Sequence, residues 1–157
     1  MPPNSRSNAP KRQRRHYSGK KKRHTQKAQV IANLKTAEIL ATDFSLGSKH
    51  DFQLFKDSRS VIPAQTRALA DAGYQGLANL HLNSQTPVKK TKRHPLSPDQ
   101  KARNRALSRQ RILIESILRK LKIFRILSDR YRNRRKRFGL RFNLIAAIYN
   151  LELKLTC

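Results

Sequence analysis

Residues 99–124 read as one long amphipathic helix, and that stretch limits the folds open to the chain more than any other. At about 100° per residue, Ile114, Ile117, Leu118 and Leu121 form an apolar stripe that must be buried against another layer. Ser108, Arg111, Glu115, Arg119 and Lys122 fall near a second line, roughly a quarter to a third of a turn away. Across residues 100–128 Glu115 is the only carboxylate among Lys101, Arg103, Arg105, Arg109, Arg111, Arg119, Lys120, Lys122 and Arg125. It is expected at the rim of the core, facing a basic groove. Ser97 resembles an N-cap, with Pro98 at the first helical position.

The charge of the whole chain restricts its partners. A formal net charge of +27 over 157 residues makes a compact state self-repelling unless a polyanion, nucleic acid above all, neutralises it. A basic partner is excluded on the same ground. The 37% hydrophobic content supports one modest domain, and six Phe, four Tyr and no Trp keep its core thin. Cys157 is the one cysteine, so neither an internal disulfide nor a cysteine-based zinc site can form. A lone cysteine fits a reducing compartment. The longest apolar run, residues 144–148, is far too short for a membrane span, and no apolar signal segment follows the basic N-terminus. A soluble cytoplasmic protein with no membrane partner is expected.

Taken in order, residues 1–15 mix Pro, Asn and Ser with Lys11, Arg12, Arg14 and Arg15, which predicts a disordered basic arm. Lys20, Lys21 and Lys22 continue the charge. From Thr25 the pattern alternates, with Ala28, Val30, Ala32 and Leu34 on one face and Lys27, Gln29 and Asn33 on the other, predicting a half-buried strand. A turn at Lys35 and Thr36 leads to a second strand over 38–45, and the two can pair as an antiparallel hairpin. Gly47 stops the second strand. Ser48 and Asp51 have the spacing of a capping box, opening a helix that turns Phe52, Leu54 and Phe55 inward. After Pro63, residues 67–76 read as a short buried strand ending in Asp71 at a glycine turn. An acid there serves either a cleft or the turn's own amides. Residues 77–83 suggest a short helix, and 86–91 a basic strand or loop.

Two stretches close the chain. Tyr131 and Phe138 bracket Arg132, Arg134, Arg135 and Arg137, a composition suited to phosphate contact with stacking on bases, or else to a solvated loop. Phe142, Ile145, Tyr149 and Leu153 recur at helical spacing, predicting a core helix.

With nine acids in all, candidates for metal chemistry are few. Mg²⁺ prefers carboxylate oxygen and retained water, and paired ions stabilise both attacking and leaving oxygens at phosphorus. Asp71 and Glu115 are the natural pair, one ending a strand and one on a helix rim. The bland alternative for Glu115 is surface ion pairing with Arg111 and Arg119.

Several blocks resemble the catalytic part of bacterial insertion-sequence transposases of the DDE superfamily, in the group typified by insertion sequence five. They are Tyr17-Ser18-Gly19-Lys20-Lys21-Lys22-Arg23-His24-Thr25, Gly47-Ser48-Lys49-His50-Asp51, Leu54-Phe55-Lys56, Ala70-Asp71-Ala72-Gly73-Tyr74-Gln75-Gly76, Lys89-Lys90, Asn104-Arg105, Tyr131 through Phe138, and Leu140-Arg141-Phe142-Asn143-Leu144-Ile145. The resemblance covers nearly everything after Arg14. It implies an α/β ribonuclease H-like fold, a mixed sheet with flanking helices, in which Asp71 matches the second catalytic aspartate and Glu115 the glutamate. It also implies Mg²⁺, with Mn²⁺ as an alternative, and DNA as partner at transposon ends and target. A related signature of Tyr, Arg, Glu and Lys is matched by Arg111, Glu115 and Lys122, with Ser108 standing where that signature has tyrosine. Arg111 and Lys122 are then expected to hold DNA backbone.

One departure bears on activity. The family's first catalytic aspartate precedes the proline and basic run resembled by residues 10–15, yet no Asp or Glu occurs before Glu38. Asp43 and Asp51 stand where the family has non-catalytic residues. The expectation is an incomplete ribonuclease H-like fold with its first strand missing, residues 16–157 forming the C-terminal part of a catalytic domain. Such a chain should bind DNA and cleave it weakly or not at all, with a two-metal site left incomplete. Homo-oligomerisation, or association with an N-terminal transposase half, follows as the means of completion. The rival expectation is a non-enzymatic basic nucleic-acid-binding protein, ribosomal-like.

Overall fold

A computed structural model describes residues 17–18, 23–24, 26–91, 95–128 and 137–156. The expected arm over 1–15 lies outside them, as do Lys20, Lys21, Lys22, Arg132, Arg134 and Arg135. The first elements are a minimal antiparallel pair, β1 (Tyr17–Ser18) and β2 (Arg23–His24).

The alternating segment forms the predicted hairpin. Strand β3 (Gln26–Ala32) pairs antiparallel with β4 (Ile39–Leu46), Val30 opposite Thr42, and the register shifts between Ile31 and Ala32. Asn33 closes the turn: its side-chain Oδ1 accepts from Lys35 N at 2.8 Å and its backbone carbonyl from Ala37 N at 2.9 Å. That geometry holds Ala37 at φ 61°, in the left-handed region.

The expected one-sided burial of β3 needs correction. Val30 and Ala32 do pack on the core, but Ala28 is exposed, Leu34 lies beyond the strand and is exposed, and Gln29 is buried. The opposite face of β3 is covered by helix α1 (Asp51–Ser58) and the turn that follows Asp71, so both faces meet protein there. Gln29 tolerates burial because the Tyr74 hydroxyl donates to its Oε1 at 3.3 Å.

Helix α1 begins where expected, though not by the expected cap. His50 is the N-cap, and its own side chain makes no capping hydrogen bond. Asp51 pairs instead with Lys27 Nζ at 3.0 Å, tying the helix start to β3. Leu54 is buried and Phe52 and Phe55 half-buried, as the sequence pattern requires.

Strand β5 (Ala68–Leu69) pairs in parallel with β6 (Ser84–Gln85). The span predicted as a helix over 77–83 contains only a 3₁₀ turn, Leu77–Asn79, which β6 soon replaces. Two buried residues, Leu77 and His81, are too little to hold a longer helix there. Residues 86–91 form no strand. Among the described residues the strands make three separate two-stranded sheets.

The long helix is α2 (Pro98–Leu121), opened by a full capping box: Ser97 Oγ accepts from Gln100 N at 3.2 Å and Gln100 Oε1 from Ser97 N at 3.0 Å. It ends at Leu121 rather than Phe124, which leaves Lys122 as the C-cap. After a short α3 (Arg125–Ser128), α4 (Phe138–Thr156) closes the chain as predicted. The main core lies where α4 and the C-terminal half of α2 meet the hairpin: Ile39, Ile117, Leu121, Phe138, Phe142, Ile145, Ala146 and Tyr149. A side-chain clamp joins α4 to β4, since Asn150 Nδ2 donates to Ile39 O at 2.8 Å and Asn150 Oδ1 accepts from Ile39 N at 2.9 Å.

Candidate functional site

Asp71 ends β5 and caps the 3₁₀ turn Ala72–Tyr74, its Oδ1 accepting from the Ala72 amide. That is the turn-amide role weighed from sequence, but it does not consume the carboxylate. Asp71 Oδ2 is 3.5 Å from Arg111 Nη2, with the aspartate side chain 59% exposed and the arginine 22%. A second link runs beside it, where Arg67 Nη2 donates to Gln85 Oε1 at 2.6 Å and to Gln110 Oε1 at 3.2 Å. These contacts lay the β5 strand along α2. Sequence reasoning missed Arg67 and Gln110, because nothing local marks residues 43 positions apart as neighbours.

Glu115 stands one turn beyond Arg111 on the same helix face. It is exposed and forms no ion pair with a described residue, so the surface pairing with Arg111 and Arg119 is not the arrangement present. Arg111 is directed to Asp71 instead. The structure thus brings Asp71 to the helix face that carries Glu115, with Arg111 between them. Below this point Arg119, Lys120 and Lys122 are exposed, and Lys120 Nζ lies 5.8 Å from the Tyr149 ring centroid. Arg137 is exposed just ahead of α4. On the other side of Asp71, Asn104 Nδ2 donates to Val88 O at 2.9 Å and its Oδ1 accepts from Val88 N at 3.0 Å, docking the strand-exit loop onto α2.

Two further acids lie nearby. Asp51 Oδ2 sits 2.8 Å from where a Cβ on Gly73 would be, so a side chain there would displace the Asp51 carboxylate. Burial above all, then the negative charges of Asp51 and Asp71, push the Tyr74 phenol up to about 12. Asp43 is engaged locally, its Oδ1 accepting from Phe44 N at 2.7 Å.

As metal ligands, Asp71 and Glu115 have the right chemistry, exposed hard carboxylate oxygens able to share an ion with substrate phosphate. No group of three or more His, Cys, Asp or Glu side chains gathers among the described residues. The donor set fits an ion held by one or two carboxylates, water and phosphate rather than an all-protein cage. No described helix is long and apolar enough to cross a membrane.

Comparison with known proteins adds a family. Residues 3–151 match the family described as Transposase DDE domain. The chain is also 48% identical, over 145 residues, to the "Probable transposase for insertion sequence element IS702" of Microchaete diplosiphon, the alignment covering 92% of this chain and 52% of that protein. It therefore spans about half the length of the curated relative it matches. No solved structure matches. The ribosomal-like alternative finds no support in these comparisons.

Proposed function

The chain belongs to the transposase DDE domain family, and on that premise we propose that it is the DNA-binding, metal-binding C-terminal part of an insertion-sequence transposase catalytic domain. The observation that carries the reading is the Arg111–Asp71 contact, which draws the strand-end acid to the face of α2 bearing Glu115. The family reaction is DNA strand cleavage followed by strand transfer in transposition. Asp71 and Glu115 would hold Mg²⁺, with Mn²⁺ as an alternative. Such an ion would supply Lewis-acid charge stabilisation at the scissile phosphate. Arg111 orients the Asp71 carboxylate and, with Arg119, Lys122 and Arg137, contacts the DNA backbone; Lys20, Lys21, Lys22, Arg132, Arg134 and Arg135, outside the described residues, are further candidates for phosphate contact by their charge. The protein works in the cytoplasm, at the nucleoid.

Cleavage by this chain alone is weak or absent, because no third His, Cys, Asp or Glu side chain gathers with Asp71 and Glu115 among the described residues. The sheets support an incomplete ribonuclease H-like fold. Ala68 donates to Asn83, just before β6, and Ala70 to Gln85 on it, which leaves the Leu69 amide and carbonyl on the opposite edge, unpaired among the described residues. Strand β3 likewise has an edge that β4 does not occupy. Gln26 Oε1 on β3 and Ser84 Oγ on β6 are buried without a partner. Tyr74 links the β5 exit to β3, so one further strand, supplied by an N-terminal transposase half, completes both edges.

Two measurements test this reading. Mn²⁺ binding followed by electron paramagnetic resonance should be lost in Asp71→Ala and in Glu115→Ala, while DNA affinity is kept or rises. Undiminished Mn²⁺ binding by both variants would overturn the metal assignment. Supercoiled plasmid with Mg²⁺ should be nicked no faster by the wild type than by either variant, and nicking abolished by a single substitution would instead reveal a complete nuclease.

A further inference from the structure

The two acids assigned to the metal stand on parts of the fold that are held differently. Glu115 belongs to α2, which the main core anchors through Ile117 and Leu121 just beyond it. Asp71 belongs to the β5–β6 unit, and among the described residues none from β5 or β6 enters that core. The unit is stiff within itself: Ala68 N donates to Asn83 O at 2.9 Å, Ala70 N to Gln85 O at 3.0 Å, and Gln75 Nε2, beyond Asp71, to Pro87 O at 3.0 Å. Asp71 therefore moves with the unit, and its distance from Glu115 depends on how the unit sits on α2. Two side-chain clamps make that seat. Asn104 takes both backbone groups of Val88, after β6, and one such point leaves the unit free to pivot. The second is Arg67, whose Nη2 donates to Gln85 of the unit at 2.6 Å and to Gln110 of α2 at 3.2 Å. Gln110 lies about 9 Å along the helix from Asn104 toward Glu115, at 1.5 Å rise per residue, so the second clamp fixes the tilt.

We infer that Arg67 is a positioning residue for the metal site: through Gln85 and Gln110 it sets the separation at which the Asp71 and Glu115 carboxylates can share one divalent ion. The inference rests on the metal assignment proposed above. Arg111 is unsuited to this role, because its contact at 3.5 Å is with the carboxylate that an ion would claim, and its guanidinium is needed at the DNA backbone. Arg67 bonds to neither acid, so its contacts outlast the loading of the site. The residue type fits. Both acceptors are neutral amide oxygens, and a guanidinium keeps its charge and its donors at any working pH. Separation matters because Mg²⁺ demands a near-octahedral array of oxygens at about 2.0–2.1 Å, whereas Ca²⁺ accepts about 2.3–2.6 Å and irregular geometry. A loosened seat therefore costs the smaller ion more than the larger one.

The test uses the full chain, with Mn²⁺ binding read by electron paramagnetic resonance and Mg²⁺ or Ca²⁺ added as competitor. Arg67→Met should weaken Mn²⁺ binding by about tenfold, with Mg²⁺ affinity falling further than Ca²⁺ affinity and the urea midpoint little changed. Losing a positive charge would by attraction alone tighten the binding of a cation, so a weakening reports geometry. Arg67→Lys should recover part of the affinity, since a single nitrogen serves both amide oxygens. Gln110→Leu should reproduce the loss, and joined to Arg67→Met it should add nothing. A metal-free reading comes from nitroxides on Leu82→Cys and Ile112→Cys, 94% and 61% exposed in the native chain, with Cys157→Ser. Their distance distribution should be narrow and should broaden with Arg67→Met. Unchanged Mn²⁺ affinity, equal loss of Mg²⁺ and Ca²⁺, or an equally narrow distribution in Arg67→Met would overturn the inference. Mn²⁺ binding absent from the wild type, or kept by both Asp71→Ala and Glu115→Ala, would strike the metal assignment and this inference with it. The nitroxide distances tell the two failures apart.

Discussion

Arg111 on the long helix reaches Asp71 at the end of a two-residue strand, Nη2 to Oδ2 at 3.5 Å, and passes over Glu115 one turn away on its own helix. Intrahelical pairing is the local choice, yet the tertiary contact is the one formed, because Arg67 and Gln110 already hold the strand against α2. The contact orders Asp71 while leaving Glu115 open.

Arg111→Ala should therefore separate folding from binding. An ion pair this exposed on its acidic side is worth under about 1 kcal/mol, so the urea midpoint should barely move. DNA binding should weaken, and the slope of log affinity against log salt should shrink by about one phosphate contact. Fluorescence anisotropy across a salt series measures both. An unchanged slope would place Arg111 off the DNA surface, and a wild-type affinity independent of salt would refute the electrostatic account altogether.

Asn150 should matter more to stability than its polar side chain suggests. It satisfies both backbone groups of the buried Ile39, so Asn150→Ala strands a donor and an acceptor at the start of β4. The expected cost is about 2 kcal/mol by chemical denaturation. Asn104→Ala removes the matching clamp on Val88, but that site is exposed and water replaces the lost bonds, so its cost should stay under about 1 kcal/mol. The reverse ranking would mean that the α4–hairpin contact is not what organises the core.

Tyr74 gives the stability a signature at alkaline pH. Its folded-state phenol is pushed up to about 12, chiefly by burial and then by Asp51 and Asp71, above an unfolded value of 10.0. Below the unfolded value the protonated phenol is bound in both states and its contribution is complete. Between about 10 and about 12 the unfolded chain releases its proton first, so stability falls as pH rises, by about 2 kcal/mol in all. Tyr74→Phe should remove that part of the slope, as read from urea unfolding at stepped pH. The same slope in wild type and variant would assign the effect to other groups.

The sequence by itself determined the parts fixed by local chemistry. The N-cap at Ser97, the apolar stripe of α2, the hairpin and the core face of α4 are written in local residue type and spacing, and each formed where that pattern placed it. Tertiary structure decided what depends on neighbours far along the chain. It buried Gln29 by covering the second face of β3, set His50 rather than Ser48 at the N-cap of α1, and let β6 displace the helix expected after Leu77. It also directed Arg111 to Asp71 rather than to Glu115, and turned half of the leucine-rich surface of α4 to solvent. Periodicity reveals which residues share a face. Only packing decides what, if anything, that face meets, because burial is set by elements brought together from distant positions in the chain.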